Sequence, residues 1–267
     1  MNRLRLLIID PQNDFMDIAG ATLPVPGAEA DMQRVAGLVR RLQARIDDIV
    51  VTLDSHNSIG IERVTFWQLE GGGAVPPFSA VTAANVRAGR FAPRDAHLRQ
   101  GVLEYLDALE AGSGRTLIVW PVHCVIGSWG HNIHADLYAA LADWEFARMR
   151  PSEKVLKGTH PMTEQYSAFR AEVPRADDIR TQNNATLMAR VGRGDELLLV
   201  AGEALSHCVA ASGDDMLAQL DAQRLRRTVF LTDCMSPVTG FSAQGEEFLE
   251  RARKAGARTI SSAEWDE

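Results

Sequence analysis

Uninterrupted apolar runs and helical stripes alternate along the chain. Leu4 to Ile9 is apolar apart from Arg5 and stops at Asp10. From Ala28 to Ile46 the residues Met32, Val35, Leu38, Val39, Leu42 and Ile46 recur at helical spacing. Asp48 to Asp54 predicts a second strand that again closes on a carboxylate, and Thr116 to Pro121 is a further apolar run, followed by a helix through Ile133 to Phe146. Glu153 to Lys157 reads as a short strand closed by Gly158, Ala185 to Val191 as a helix, and Glu196 to Val200 and Thr228 to Asp233 as strands. A last helix from Ala243 to Ala255 leads into Arg258-Thr-Ile-Ser261. Strands that are apolar on both faces, separated by helices, imply a three-layer α/β fold: a parallel sheet covered on both sides, with right-handed crossovers.

One junction in this pattern carries chemistry. Leu197-Leu-Leu-Val-Ala-Gly202 ends a strand, and Glu203-Ala-Leu-Ser-His-Cys208 delivers a cysteine onto the first turn of a helix rich in small residues. Unpaired backbone N–H groups and the helix dipole at such a position favour thiolate over thiol. To be mostly ionised at neutral pH the thiol needs its pKa lowered by about 2, roughly 2.7 kcal/mol, which is more than the dipole supplies. A cation from elsewhere is therefore required, and without one Cys208 reads as a small buried hydrophobe.

Composition narrows the setting. With 46% hydrophobic and 24% charged residues the chain has a soluble globular balance, and no apolar run approaches membrane-spanning length. Met1-Asn-Arg-Leu-Arg5 leads directly into Leu6-Leu-Ile-Ile9, too short a stretch for a signal peptide. Three cysteines without framework spacing point to a reducing compartment, with the cytoplasm expected. A net charge of −7 with no basic stripe argues against nucleic-acid binding. At 267 residues the chain accommodates one large domain or a core with an insertion, and the Gly/Pro/Ala-rich interval from Gly71 to Ala92 reads as an insertion or lid loop. We expect a single domain over 1–267, with 57–115 as an insertion or lid region before Trp120.

The strand ends supply what the cysteine lacks. Asp10, in Ile-Ile-Asp-Pro-Gln-Asn-Asp-Phe, is a candidate general base; Lys157, in Val-Leu-Lys-Gly, is a candidate cation; Cys208 is the candidate nucleophile. Singly, each has an ordinary reading as a turn, cap or surface residue. Jointly they are more specific. The segments Leu7-Ile-Ile-Asp10-Pro-Gln-Asn-Asp-Phe15, Thr52-Leu-Asp54-Ser-His56, Trp120-Pro-Val-His123-Cys-Val-Ile-Gly127, Lys157-Gly with Tyr166-Ser-Ala-Phe169, and Gly202-Glu-Ala-Leu-Ser-His-Cys208-Val resemble the isochorismatase-like cysteine hydrolases, in the nicotinamidase-like branch. They span most of the chain.

That resemblance implies a sheet of about six parallel strands and a triad of Asp10, Lys157 and Cys208 that hydrolyses a small amide, nicotinamide or a related carboxamide, through a thioester. Backbone N–H groups of Ala204 and Cys208 would hold the oxyanion, Phe15, Trp120 and Tyr166 would bind the substrate, and the peptide Glu203-Ala204 would be cis. Asp54, His56 and His123 would hold a divalent metal, and two imidazoles with one carboxylate suit zinc, iron or manganese. Asp54 and His56, two apart on an extended segment, can indeed face one side together. Glu62 stands where many relatives carry a further histidine, as a fourth ligand or a solvated residue, and Ser206 replaces an Asp common in the family. The sixty-five residues between Asp54 and Trp120 exceed the length the resemblance leads one to expect, and include a predicted helix from Arg94 to Leu109. Other small-amide or carbamoyl hydrolysis without metal, or a binding protein on the same fold, are the competing readings. The expected partner is a small-molecule amide, with no nucleic acid and no membrane, and with room for a homo-oligomer.

Overall fold

In the computed structural model, which describes residues 3–265, the chain runs β1 (Leu4–Ile9), α1 (Ala28–Leu42), β2 (Ile46–Asp54), β3 (Trp67–Leu69), β4 (Ser79–Val81), α2 (Ala83–Arg87), β5 (Phe91–Pro93), α3 (Arg99–Gly112) and β6 (Leu117–Val119). It continues through α4 (Ala135–Arg148), β7 (Glu153–Lys157), α5 (Ala185–Gly192), β8 (Leu197–Gly202), α6 (Ala210–Gln219), α7 (Ala222–Leu225), β9 (Thr228–Leu231), α8 (Ser242–Lys254) and β10 (Arg258–Ile260). Met1 and Asn2, where the segment leading into the first strand begins, lie outside the described residues.

Six strands form one parallel sheet in the order β10-β9-β8-β1-β2-β7. Side chains alternate across β1: Leu4, Leu6 and Ile8 join a core with α1 and α4, while Leu7 and Ile9 join one with α5, α6 and α8. Burial on both faces is why the strands read as unbroken apolar runs. The expected three-layer α/β architecture is the one observed. Its order reverses between β1 and β8, because the chain builds outward from β1 to β2 and β7 and later returns to the other side of β1. At such a switch point the carboxyl ends of neighbouring strands open a crevice for ligands.

The Thr116–Pro121 run behaves differently. Its strand, β6, pairs antiparallel with β4 outside the main sheet, and β3 pairs antiparallel with β5. Residues 57–115 are thus ordered around a third apolar cluster that includes Ile61, Phe66, Trp67, Val81, Tyr105 and Leu106. The Gly/Pro-rich interval is part of this packed unit, which the composition of a loop did not reveal. Two helix boundaries also shift: α1 stops at Leu42 because Ile46 opens β2, and α3 starts at Arg99 because Phe91–Pro93 is a strand. Asp95 then caps the short turn before α3 by accepting the His97 amide. Among the described residues no helix is long and apolar enough to cross a membrane.

Candidate active site

Four adjacent strands, β8, β1, β2 and β7, end side by side and carry the expected residues. Ile9 and Gly202 are register partners, which brings Asp10 and the turn leading to Cys208 together, and Asp54 and Lys157 are partners on β2 and β7. Gly202 is required at its place: with φ +125°, a Cβ there would lie 2.0 Å from the Ile9 carbonyl oxygen. Beyond it the peptide Glu203-Ala204 is cis, as the resemblance implies. Leu205–Val209 then forms one wide helical turn before α6, with Cys208 inside it.

Lys157 ties the strand ends together. Its buried ammonium lies 2.9 Å from Asp10 Oδ2 and 2.8 Å from Asp54 Oδ1, and donates to the Gln165 carbonyl at 3.1 Å and towards Cys208 Sγ at 3.5 Å. Asp10 is fully buried and accepts from the Thr52 hydroxyl at 2.6 Å. It also lies within hydrogen-bond reach of the Cys208 sulfur. Gln12 pairs with the Asp54 backbone through both of its amide atoms, at 2.8 and 2.7 Å, fixing β2 against the turn after β1.

The electrostatics of this cluster differ from the expectation of a resting thiolate. Burial pushes the Cys208 thiol well above the usual thiol range; Lys157 pulls it down, while Asp10 and Asp54 push it up. Burial also raises Asp10, against the pull of Lys157, and Lys157 is held well above the usual ammonium range because the two carboxylates outweigh its own burial. One cation faces two carboxylates, a balance that favours the thiol form of Cys208. Lys157 lies beside Cys208 and Asp10, and its sharing with Asp54 is not encoded in the local sequence.

A second cluster adjoins the first. Ligand atoms of Asp54, His56 and His123 lie within 4.8 Å of one another, all buried. Nε2 of His56 is 2.8 Å from Asp54 Oδ1 and Nε2 of His123 is 3.3 Å from Asp54 Oδ2. The far ring nitrogens are engaged elsewhere: His56 Nδ1 meets Glu62 at 3.1 Å, and His123 Nδ1 meets the Pro121 carbonyl at 2.9 Å and the Arg63 guanidinium at 2.6 Å. Two imidazoles anchored at Nδ1, with Nε2 converging on one carboxylate, fit a divalent ion of the zinc, iron or manganese type. Glu62 is neither a solvated residue nor one of the converging three, since it is buried and bridges His56 to Arg63 Nε. Gly158, φ +77°, leaves the room this needs, because a Cβ there would come within 2.6 Å of His56 Cε1.

Charge follows from this packing. Burial alone would lower His56, but Asp54 overcomes it and raises the imidazole to about 9. Burial and the Arg63 charge bring His123 down to about 4. Burial alone would raise Asp54, yet His56, Lys157 and His123 together hold it well below the carboxylate range.

Both clusters face a cavity lined by Phe15, Trp120, Tyr166, Ala204, His207 and Cys208, with Asp54 and His123 from the second cluster and Leu23, Glu164 and Val238 completing the wall. Phe15, Trp120 and Tyr166 stand there as the motifs led one to expect, and the Trp120 indole N–H donates to the Tyr166 hydroxyl at 3.0 Å. The Ala204 amide donates to no backbone group among the described residues. His207 and Glu164 were not foreseen in the wall. His207 follows Ser206, whose hydroxyl accepts the Val238 amide at 3.0 Å and shares a hydrogen bond with His207 Nδ1 at 2.9 Å. Burial, with the Arg115 charge, lowers this imidazole to about 4, so the ring is neutral at pH 7. Glu164 is raised to about 7 by burial and by the charge of Glu62. Only position beside the nucleophile hinted at His207, and nothing in the local pattern marked Glu164.

No family model matches the chain. The chain is 27% identical over 238 residues to the nicotinamidase of Saccharomyces cerevisiae, covering 88% of each. Among solved structures it resembles a nicotinamidase/pyrazinamidase of Acinetobacter baumanii, with a TM-score of 0.65 at 19% identity over 98% of both chains. It also resembles the pyrazinamidase of Pyrococcus horikoshii in complex with zinc, with a TM-score of 0.56 at 20% identity over 97% of this chain and 99% of that one. The chain has the fold of the isochorismatase-like hydrolases, and the resemblance to nicotinamidases carried by its motifs extends over most of its length.

Proposed function

We propose that the chain is a metal-assisted cysteine amidohydrolase that cleaves the C–N bond of a linear amide, converting nicotinamide or a related small carboxamide to the acid and ammonia through a thioester. The observation that carries this reading is the contact of one buried lysine with Asp10, Asp54 and Cys208 beside a cavity lined by Phe15, Trp120 and Tyr166. The curated yeast relative is a nicotinamidase, which supports the same substrate class.

Asp10 takes the Cys208 proton as the sulfur attacks the amide carbon, and the Ala204 and Cys208 amides receive the developing oxyanion. Lys157 keeps the sulfur and both carboxylates in register and offsets the negative charge that the proton transfer leaves on sulfur. Collapse of the tetrahedral adduct breaks the C–N bond, with the proton on Asp10 passing to the leaving nitrogen, so that ammonia departs and an acyl thioester remains on Cys208. Asp10, again a carboxylate, accepts a proton from water as that water attacks the thioester carbonyl. The acid leaves and the thiol is restored. Phe15, Trp120 and Tyr166 pack the ring, and the neutral His207 adds a polar group to the same wall. Asp54, His56 and His123 would hold a divalent ion, for which zinc is favoured by the likeness to the zinc-complexed pyrazinamidase and iron or manganese also suit the donor set, and it would supply a Lewis-acid anchor for a substrate ring nitrogen. Three free cysteines are in keeping with the reducing conditions of the cytoplasm.

Ammonia release across a panel of nicotinamide, benzamide, aliphatic amides and carbamoyl amines tests the reading. The expected result is turnover of nicotinamide above the rest; release from carbamoyl compounds alone would replace it with carbamoyl hydrolysis, and none from any of them would overturn it.

A further inference from the structure

Glu203 precedes the oxyanion residue Ala204, has no exposed surface, and takes no part in the mechanism above. Its Oε2 accepts the Ser236 amide at 3.1 Å, whereas Oε1 is buried and meets no hydrogen-bond donor. The group beside it is another carboxyl, that of Asp31 in the first turn of α1, within hydrogen-bond reach. Asp31 in turn accepts the Ser236 hydroxyl at 2.6 Å and pairs with Arg34. Ser236 closes the ring by accepting the Leu205 amide at 2.8 Å, and Cys234 accepts that of Gly202 at 2.9 Å. The turn that presents Ala204 and Cys208 is therefore bolted to the loop after β9 by backbone bonds and by the Glu203 side chain, which also brings it against α1.

Two adjoining buried carboxyl groups cannot both be ionised unless cations answer both, and the cation here, Arg34, is already on Asp31. Asp17, in the loop before α1, adds further negative charge rather than relieving it. A proton on Oε1 resolves both problems, since it gives the orphaned oxygen a partner and removes one charge. We propose that Glu203 is a neutral, proton-bearing positioning residue that donates from Oε1 to Asp31 and so fixes the Gly202–Leu205 turn on which the nucleophile and the Ala204 amide are presented. Burial first, then the charge of Asp31, raises its carboxyl well above the usual range, in agreement with that geometry.

The sign of the pH effect follows. A carboxyl raised in the folded state contributes stability that is complete below its unfolded value, near 4.5, and is lost as pH rises towards its folded value. Glu203→Gln replaces the acid by an amide that donates to Asp31 and accepts from Ser236 at every pH; Glu203→Leu does neither. The experiment measures Tm from pH 5 to pH 9 for the three proteins and their infrared spectra at neutral pH. The expected result is a wild-type Tm that falls with pH relative to E203Q, and a protonated-acid carbonyl band in wild type that E203Q lacks. An ionised Glu203 gives no such band and no relative slope, and either absence overturns the proposal, whether or not E203L folds. A third arm rests on the amidase reading: in E203L, kcat should fall about tenfold or more with little change in KM, and E203Q should recover most of it. Because Tm and the infrared band need no substrate, their failure is distinguishable from failure of that reading.

Discussion

Asp54 stands opposite Lys157 across the β2–β7 pair, and its Oδ1 takes the lysine ammonium at 2.8 Å while its Oδ2 lies 3.3 Å from His123. One carboxylate is thus shared by the nucleophile's cation and the metal-type cluster, and it acts on them in opposite directions. It completes the ligand set, yet it raises the Cys208 thiol.

Asp54→Asn is therefore expected to lose bound metal after dialysis and, at the same time, to speed alkylation of Cys208. In the parent protein iodoacetamide should react with Cys208 slowly at neutral pH and faster as the pH is raised, because the thiol is held well above its ordinary range. Metal analysis and mass-spectrometric mapping of the labelled cysteine check both halves. A fast, pH-independent reaction of the parent protein would show a resting thiolate.

Cys208→Ala, Lys157→Ala and Asp10→Asn should each reduce turnover by orders of magnitude, and double variants should be little worse than single ones. The three groups serve one proton transfer, from Cys208 to Asp10 with Lys157 offsetting the charge left on sulfur, so each deletion removes the same step. Additive losses in kcat would separate them into independent contributions.

Zinc binding should release protons at neutral pH. His56, raised to about 9, is an imidazolium there and must lose its proton to ligate, whereas His123, lowered to about 4, is already neutral. Apparent affinity should rise with pH up to about 9 and then level. In the metal-free protein, the stability that His56 contributes is present below its ordinary value of 6.5 and is lost as pH rises through about 9. Calorimetry in buffers of different ionisation enthalpy reads the proton count, and a count of zero would place the His56 proton elsewhere.

Nicotinamide should be hydrolysed far better than benzamide by the metal-loaded protein, and chelation should narrow the gap, because the two amides differ in the ring nitrogen alone. His123→Ala should lose metal and the same preference, while Cys208 remains open to alkylation. Equal rates on the two amides, unmoved by chelator, would remove the ring-nitrogen role.

The parallel sheet and the residues at its strand ends were legible because each is local: an apolar run, then a carboxylate, a lysine before glycine, or a cysteine at a turn. Asp10, Asp54, Lys157 and Cys208 meet because register aligns those ends, and register follows from the same runs. What sequence could not supply was the balance of charge, since sharing Lys157 between Asp10 and Asp54 is a matter of fractions of an ångström. Glu62 illustrates the other limit. Its offset suggested a ligand, but its carboxylate approaches the wrong nitrogen of His56, a distinction that spacing does not encode. Thr116–Pro121 had the composition of a core strand and still joined β4, because its partner was decided by the unit folded between β2 and α4.

That unit reaches the chemistry from behind. Trp67 donates its indole N–H to the Ile61 carbonyl, Arg63 has no exposed surface beside His123, and the Tyr105 hydroxyl receives the Glu164 amide. Its apolar interior is therefore the foundation for Glu62 and Arg63 as well as a cover for the cavity. Trimming it to obtain a smaller catalyst, or exchanging it to admit a larger substrate, would carry a hidden charge of Arg63 to the surface and disturb the contacts of Glu62 and Arg63 with the far nitrogens of the two histidines. Cavity shape and ion affinity in this chain are consequently one inherited trait, and a chimaera that seeks to change the first must rebuild the second.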